Sequence, residues 1–354
     1  MKKKRKILVI FTGGTIASSV RDKVASPNKK SFQSLYNYVK QFFLHKDIEL
    51  TCIEPWGIPG EDSSNLDPGN WIKITSIIVK ELENQLDGVL ILYGTDTMAY
   101  LASWLSLCFP KIHIPVILTG SQLTLDYMPE DVTVNVPGAA QVVYYHFPGV
   151  WIYCNWKLYP GERAHKAHAI HPDVFTATNG IPVYFNMDWA LKSGEKMIKT
   201  LPYQTPDWLK KILSYPVEKV KEICKKISWL MCIPGTEPEI SPTSKIICVY
   251  GFGAGNAPVT VLDNVRKRFE GQENKPCIIA CSQAEGDIKK PDYYQKVGIA
   301  WLAKDGFKVW GQMDYPIEFI HALACYALLI DYENPGPILS RYIQDYSRRM
   351  SLKN

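Results

Sequence analysis

Short apolar runs alternate with longer amphipathic segments through the first half of the chain. Residues 6–11, 88–93 and 115–118 are apolar almost throughout, which predicts strands buried on both faces. Between them, residues 31–43 and 97–107 repeat apolar positions at helical spacing. Strands that alternate with helices predict an α/β fold whose mostly parallel sheet is flanked by helices on both faces.

Two further strands and one helix complete this half. Residues 49–53 and 150–153 read as strands. Asp67 and Pro68 predict the start of a helix, because aspartate caps a helix well and proline suits its first position.

The alternation stops near Pro182 and restarts at Ile246, and prolines recur among polar residues in between. We therefore predict a large N-terminal domain over residues 1–190, a connecting region over 191–243 and a smaller C-terminal α/β domain over 244–354. The predicted strands of the smaller domain are 246–250 and 276–280, and its predicted helices are 257–269, one within 293–303, 317–329 and 337–349.

The composition and charge of the chain exclude several classes of protein. The chain has 354 residues, 46% hydrophobic and 21% charged, which is typical of a globular protein. Forty basic against 35 acidic residues leave a net charge of +5, too small and dispersed to predict a nucleic-acid partner. No apolar run is long enough to predict a membrane span, and the apolar run behind the basic N-terminus is too short for a secretory signal.

Nine cysteines are scattered along the chain, several of them in apolar surroundings. Their odd number and even spread favour reduced, buried thiols and a cytoplasmic protein. Cys277 and Cys281 stand four residues apart on a strand-like run, and no second pair has metal spacing. His165, His168 and His171 are spaced by three, but Pro172 disfavours a helix there, so we predict a polar loop and no metal site.

Polar residues directly follow the predicted buried strands, where ligands of parallel sheets bind. Thr15 lies in the segment TGGTIA after the first strand, and Thr95 and Asp96 lie in GTDTM after the strand at 88–93. A threonine needs a base or a proton relay before it acts as a nucleophile. Lys166 can complete such a relay if its surroundings favour the neutral amine.

These segments resemble the signature motifs of one family. TGGTIA at 12–17 and GTDTM at 94–98 match the two signatures of bacterial L-asparaginases in full. Four other segments match in order: DSSNL at 62–66, LTGSQ at 118–122, RAHKAHA at 163–169 and YGFGAGNAP at 250–258. The lysine segment and the glycine-rich segment are similar to those of the cytoplasmic, type I branch, although the latter is two residues longer. The resemblance spans nearly the whole chain.

The resemblance implies an amidohydrolase that converts L-asparagine to L-aspartate and ammonia. Thr15 would attack the side-chain amide carbon, and Thr95 and Lys166 would form the second catalytic group with Asp96. No metal and no organic cofactor is implied.

The resemblance also implies a substrate site that is shared between subunits. Asp96 would bind the α-amino group of the substrate, and Ser63, with Ser64 beside it, would bind the α-carboxylate. Asn256 would approach from a neighbouring subunit, which implies a homodimer or homotetramer. Nucleic acid and membrane are not expected partners.

Three positions depart from the family pattern. Residues 16–35 contain no tyrosine, although the family's loop there usually carries one that bonds the nucleophile. Tyr93 replaces a histidine, and only Asp131 remains of a usual R-S-D segment. We expect slower turnover in consequence, unless Tyr93, Tyr36 or Ser26 supplies the missing hydroxyl.

Two alternatives stay open at this point. The substrate may be another ω-amide, such as glutamine. A non-catalytic sensor of asparagine or aspartate on the same fold would also account for the missing tyrosine, although the intact Thr15, Thr95, Asp96 and Lys166 favour an enzyme.

Overall fold

The apolar runs of the first half form parallel strands of one sheet. The structure is a computed structural model and describes residues 4–21, 24–44, 47–124, 131–185, 203–284 and 290–351. Its chain divides into two compact units, residues 1–214 and 215–354, so the boundary lies inside the stretch 191–243.

The strands of the first unit are β1 (Arg5–Phe11), β2 (Ser18–Arg21), β3 (Val24–Pro27), β4 (Ile48–Ile53), β5 (Gly88–Leu92), β6 (Pro115–Thr119), β7 (Gly149–Cys154), β8 (Lys157–Pro160), β9 (Ala164–Lys166), β10 (Phe175–Ala177) and β11 (Val183–Tyr184). Seven of them form one sheet with the strand order β11-β8-β7-β6-β5-β1-β4. Strands β4, β1, β5, β6 and β7 are parallel, and β8 and β11 pair antiparallel at one edge. The predicted mostly parallel sheet is confirmed.

Helices pack on both faces of this sheet. The helices are α1 (Lys29–Phe43), α2 (Pro68–Glu83), α3 (Met98–Cys108), α4 (Val132–Tyr144) and α5 (Asp207–Leu213). Alternate residues of β1, such as Val9 and Phe11, share a core with α1 and α4. On α2 and α3, Trp71 and Trp104 contact each other with ring centroids 6.2 Å apart. As predicted, Asp67 caps α2, and its carboxylate accepts from the backbone N–H groups of the first turn.

Helix α4 was not predicted from the sequence. Pro137 lies inside this helix, and a proline within an apolar pattern usually indicates that a helix is interrupted there. Val136, Ala139 and Val143 are buried against the sheet, so tertiary packing compensates for the proline.

The elements of the second unit are α6 (Val217–Cys224), β12 (Ile227–Met231), β13 (Ile246–Gly251), α7 (Val259–Arg268), β14 (Cys277–Ser282), a 3-10 helix (Ile299–Asp305), β15 (Lys308–Gly311), α8 (Ile317–Ile330), α9 (Gly336–Leu339), β16 (Gln344–Asp345) and α10 (Ser347–Ser351). Its strands form a smaller sheet with the order β12-β13-β14-β15-β16, in which the first four strands are parallel. The predicted strands and the helix at 317–329 are confirmed, whereas the helix sought within 293–303 is a 3-10 helix.

The prediction of one closing helix over 337–349 is wrong. The segment instead forms α9, β16 and α10, because its middle pairs antiparallel with the edge strand β15, with Asp345 opposite Trp310. The indole of Trp310 donates to the hydroxyl of Ser340 at 2.9 Å, and the N–H of Tyr346 donates to the carbonyl of Val309 at 2.8 Å. A free sheet edge therefore overrides the helical pattern.

All nine cysteines are free thiols, and eight of them are buried. Across the described ranges, no helix has the length and apolarity that a membrane crossing needs. In the same ranges, no three histidine, cysteine or carboxylate side chains are arranged to hold a metal ion.

Candidate active site

Three loops with polar or reactive side chains follow β1, β5 and β6, which are neighbours in the sheet. Gly13 and Gly14 adopt φ angles of 109° and 83°, so the chain turns sharply after β1 and presents Thr15 at the start of a 3-10 turn. A side chain on Gly14 would place its Cβ 2.6 Å from Gly94, so only glycine lets the two loops meet. Thr15 is half-buried, and among the described residues its hydroxyl has no hydrogen-bond partner.

Thr95, Asp96 and Lys166 form one hydrogen-bonded cluster. The Lys166 Nζ donates to Asp96 Oδ1 at 2.5 Å and to Thr95 Oγ1 at 2.9 Å. The Lys166 side chain is 16% exposed and the Asp96 side chain 59%, while Thr95 is buried. The amine is therefore shielded from water, and the carboxylate stays open to a ligand.

A short hairpin holds Lys166 in place. Lys166 ends β9, opposite Phe175 of β10. Behind the hairpin, the Asp173 carboxylate accepts from Lys157 and from the Tyr159 hydroxyl. Burial opposes the charge on Asp173, but these two hydrogen bonds outweigh it and hold the pKa of Asp173 below its ordinary value.

Ser63 and Ser64 lie in a 3-10 turn beside this cluster. Asp62 caps the turn by accepting from the Ser64 N–H at 2.8 Å. Ser63 is buried, and a Cβ on Gly94 would lie 2.5 Å from its hydroxyl oxygen, so this side chain lies directly against the GTDTM loop. Ser64 is exposed, and its hydroxyl lies 3.4 Å from Asp96 Oδ2.

The structure adds one residue to the cluster for which sequence reasoning assigned no role. Gln122 Oε1 accepts from the Thr95 hydroxyl at 2.6 Å. Asp131 accepts from the backbone N–H groups of Gln122 and Leu123 at 2.8 and 3.2 Å, so it braces the loop after β6. The match of LTGSQ to the family was the available signal, but spacing does not show which side chain the glutamine reaches.

Asn256 belongs to the second unit, whereas Thr15, Ser63, Thr95 and Lys166 belong to the first. Asn256 follows β13 in a glycine-rich loop in which Gly255 has a φ of 94°. Its backbone N–H and carbonyl both bond Phe252, at 2.9 and 2.7 Å. Its side-chain oxygen is buried and has no hydrogen-bond partner among the described residues.

The three hydroxyls considered as replacements for the loop tyrosine have different surroundings. The Tyr36 ring packs on Phe11, with centroids 5.3 Å apart, and Lys40 lies over its face. Ser26 pairs with Ser19 across the hairpin of β2 and β3, and its side chain lies outside the described residues. Tyr93 is fully buried, and its hydroxyl lies 3.3 Å from the hydroxyl of Thr97.

Tyr93 instead contacts the Ser63 turn indirectly, through Thr97. Thr97 Oγ1 donates to the Ser63 carbonyl at 2.7 Å and lies beside the Tyr93 hydroxyl. Burial raises the pKa of Tyr93 well above its ordinary value, so the phenol stays protonated.

Tyr93→Phe is therefore expected to raise KM rather than lower kcat. The resemblance assigns Ser63 to the α-carboxylate of asparagine, so loss of one hydrogen bond of about 0.5–1.5 kcal/mol behind Ser63 corresponds to a roughly twofold to thirteenfold rise in KM for asparagine. Steady-state kinetics measure the split, with Tyr153→Phe, another buried tyrosine, as the control. A fall in kcat at constant KM would show instead that Tyr93 acts on Thr15, the expected nucleophile.

Comparison with known proteins shows the family to which the chain belongs. The family description "Asparaginase, N-terminal" matches residues 6–193, more than half of the chain. L-asparaginase 1 of Escherichia coli is 30% identical over 261 residues, which cover 72% of this chain and 73% of that protein. An L-asparaginase of Dirofilaria immitis is 29% identical over 309 residues, 78% of this chain, and the chain spans only half the length of that relative.

A solved structure shares the fold. The thermostable L-asparaginase from Thermococcus kodakarensis superposes with a TM-score of 0.70 at 22% identity, covering 94% of this chain and 96% of that one. The order of the strands and the cluster of Thr95, Lys166 and Asp96 together define an α/β protein with a threonine, a lysine and a carboxylate at the carboxyl ends of its strands. The match of the family description to residues 6–193 shows that the chain belongs to the asparaginase family.

Proposed function

We propose that this protein hydrolyses L-asparagine to L-aspartate and ammonia, with Thr15 as the nucleophile. The observation that carries the proposal is the cluster of Lys166, Asp96 and Thr95 beside the turn that presents Thr15. A hydroxyl, a shielded amine and an open carboxylate at one sheet edge suit amide hydrolysis through a covalent intermediate.

In the proposed first step, the Thr15 oxygen attacks the side-chain amide carbon. The Thr15 proton is passed to the departing nitrogen, the carbon–nitrogen bond breaks, and ammonia leaves an aspartyl ester on Thr15. In the second step, water attacks the ester carbon, the bond between that carbon and the Thr15 oxygen breaks, one proton of the water goes to the Thr15 oxygen, and L-aspartate leaves. Thr95 and Lys166 serve these steps as the proton relay that activates the attacking oxygen.

The proposed substrate pose uses the remaining side chains. The Asp96 carboxylate pairs with the positive α-amino group of the substrate, because most of this side chain is exposed and can be reached from solvent. Ser63 and Ser64 are assigned to the α-carboxylate, because their turn lies against the same loop. We assign no metal and no cofactor to the reaction.

The test is ammonia release by the purified protein from asparagine and, separately, from glutamine. We expect release from asparagine and none above blank from the Thr15→Ala variant. Release from glutamine alone would assign the other ω-amide. Binding of asparagine or aspartate without release from either amide would show a sensor and refute the proposal.

We also propose a homodimer or homotetramer in the cytoplasm, in which Asn256 completes the site of a neighbouring subunit. Support for the shared site comes from the resemblance of the glycine-rich segment at 250–258, which carries Asn256, to that of the family. Support for the compartment comes from the nine free thiols, which suit reducing conditions.

Mixing two inactive variants tests the shared site. Thr15→Ala and Asn256→Ala subunits, allowed to exchange, form oligomers in which some sites carry both native residues. Activity should then rise well above that of either variant alone. If the mixture stays as inactive as its components, or if light scattering finds only monomers, the shared site is excluded.

A further inference from the structure

Thr97 links the two segments that are proposed to hold the α-amino and α-carboxylate groups of the substrate. Its Oγ1 donates to the Ser63 carbonyl at 2.7 Å, across 34 residues of chain. Asp96, its neighbour in sequence, is assigned to the amino group, and Ser63 is assigned to the carboxylate. One side chain therefore ties the amino contact to the carboxylate contact.

The Thr97 hydroxyl is turned away from the helix that it could cap. Thr97 is the N-cap residue of α3, where a threonine side chain usually accepts from a backbone N–H of the first turn. Among the described residues, its side chain makes no such hydrogen bond. Helix α3 therefore does not depend on this hydroxyl, and its loss should leave the start of the helix intact.

The single proton of this hydroxyl goes to Ser63. A carbonyl oxygen only accepts hydrogen bonds, so Thr97 must be the donor, and the Tyr93 hydroxyl 3.3 Å away can then donate to Thr97 Oγ1. The Ser63 carbonyl also accepts from the Leu66 N–H at 3.1 Å, which closes the 3-10 turn. Without the Thr97 hydroxyl this carbonyl keeps one partner, so the turn keeps its own shape and loses its link to the GTDTM loop.

Few hydrogen bonds join these two segments. Between DSSNL and GTDTM, all of whose residues the structure describes, the only other side-chain hydrogen bond runs from the Ser64 hydroxyl to Asp96 Oδ2 at 3.4 Å. Both of those side chains are exposed, so water competes for them. The bond from Thr97 is shorter and half-buried, so it contributes more to fixing the distance between Ser63 and Asp96.

A fixed distance matters because the substrate carries both groups on a single carbon atom and so binds as a divalent ligand. Once the amino group is held at Asp96, the carboxylate reaches Ser63 at a high effective concentration, but only if the distance between these residues matches the ligand. A turn that is already in place also spares the ordering cost that a mobile turn would add to binding.

We propose that Thr97 is a positioning residue that couples the amino and carboxylate contacts of the substrate, and so selects α-amino acids over ligands that carry only one of these groups. The inference rests on the proposed hydrolysis of asparagine. Thr97 forms no bond with the substrate, and it acts by holding the Ser63 turn at the distance from Asp96 that an α-amino acid requires.

Three acids that are not hydrolysed separate this coupling from support of either contact alone. L-Aspartate carries both groups, succinate lacks the α-amino group and β-alanine lacks the α-carboxylate. In Thr97→Val, the inhibition constant of L-aspartate against ammonia release should rise roughly twofold to thirteenfold, the worth of one hydrogen bond. The constants of succinate and β-alanine should not change, because a ligand with one group does not sense the distance. Thr97→Ser keeps the hydroxyl and should match wild type.

Thr75→Val is the matched control. The Thr75 hydroxyl also donates to a backbone carbonyl at 2.7 Å, that of Trp71, but inside α2, so its loss should leave all three constants unchanged. Thermal unfolding reports whether each variant is folded, and Thr97→Ala removes the same hydroxyl if Thr97→Val does not fold.

A double variant gives a second readout. Thr97→Val added to Ser63→Ala should raise the KM of asparagine no further than Ser63→Ala does, since the carboxylate contact is already lost. This comparison decides the question if succinate and β-alanine do not inhibit the wild type.

An L-aspartate constant that Thr97→Val leaves unchanged overturns the inference. An equal rise for succinate or for β-alanine also overturns it, because Thr97 would then support Ser63 or Asp96 alone, and so does a further rise of KM in the double variant. Wild-type protein that releases no ammonia from either amide overturns the proposed function and this inference together, whereas any of these results with an active wild type overturns only the inference.

Discussion

Thr15→Ala is expected to lower turnover of asparagine by about 10⁴-fold or more, because removal of a covalent nucleophile leaves only binding and electrostatic help. Thr15 lies on a turn rather than in the core, and its hydroxyl makes no hydrogen bond to the described residues. The fold should therefore remain intact. Ammonia release and thermal unfolding measure the two effects separately.

Thr12 provides the matched control within the same motif. It is fully buried, and its hydroxyl donates to the Leu92 carbonyl at 2.9 Å. Thr12→Val should therefore cost about 1–3 kcal/mol of stability and leave turnover by the folded protein essentially unchanged. Near wild-type turnover by Thr15→Ala would refute the nucleophile assignment. Equal losses in both variants would mean that the turn matters only as a scaffold.

Lys166→Met is expected to lower kcat by about 10²–10⁴-fold, the range of general acid–base catalysis. The change removes the proton donor from Thr95 and the cation from Asp96. Lys166→Arg refines the test, because arginine keeps the positive charge but does not release its proton. If proton transfer is the role, the arginine variant stays as impaired as the methionine variant. Recovery of most activity with arginine would show that charge alone is needed.

Lys157→Met is the control for this lysine. Lys157 pairs with Asp173, which lies in the bend before β10, and touches no member of the catalytic cluster among the described contacts. Its loss should cost about 1–3 kcal/mol of stability near neutral pH without changing kcat. Because the pKa of Asp173 is lowered in the folded protein, the lost stability is present above the ordinary carboxylate pKa. The difference from wild type should therefore shrink as the pH falls through the folded pKa of Asp173.

Elements with strong local signals were predictable. β5 is apolar throughout and β1 is apolar after its first two residues, and Asp67 and Pro68 mark the start of α2. Helix α4 and the pair of α9 and β16 were not predictable, since one contains Pro137 and the other depends on pairing with β15. In these segments contacts distant in sequence outweigh local propensity.

The site shows the same division. Its loops were predictable because parallel strands carry their ligands at their carboxyl ends, and because TGGTIA and GTDTM resemble the asparaginase signatures. The partner of Tyr93 was not predictable. No sequence pattern indicates that the Tyr93 hydroxyl lies beside Thr97, which bonds the Ser63 carbonyl, rather than beside Thr15.

The sequence by itself determined the α/β class, the buried strands and the loops that carry Thr15, Thr95, Asp96 and Lys166, because hydrophobic periodicity and short motifs are local properties. Only the tertiary structure decided that Gln122 reaches Thr95, 27 residues away in the chain, and that Lys166 meets Asp96 across 70 residues. Such contacts depend on strand order and on the path of the β9–β10 hairpin. Whether two side chains form a hydrogen bond depends on donor–acceptor distances to within tenths of an ångström, and no local sequence pattern determines such a distance between separate elements.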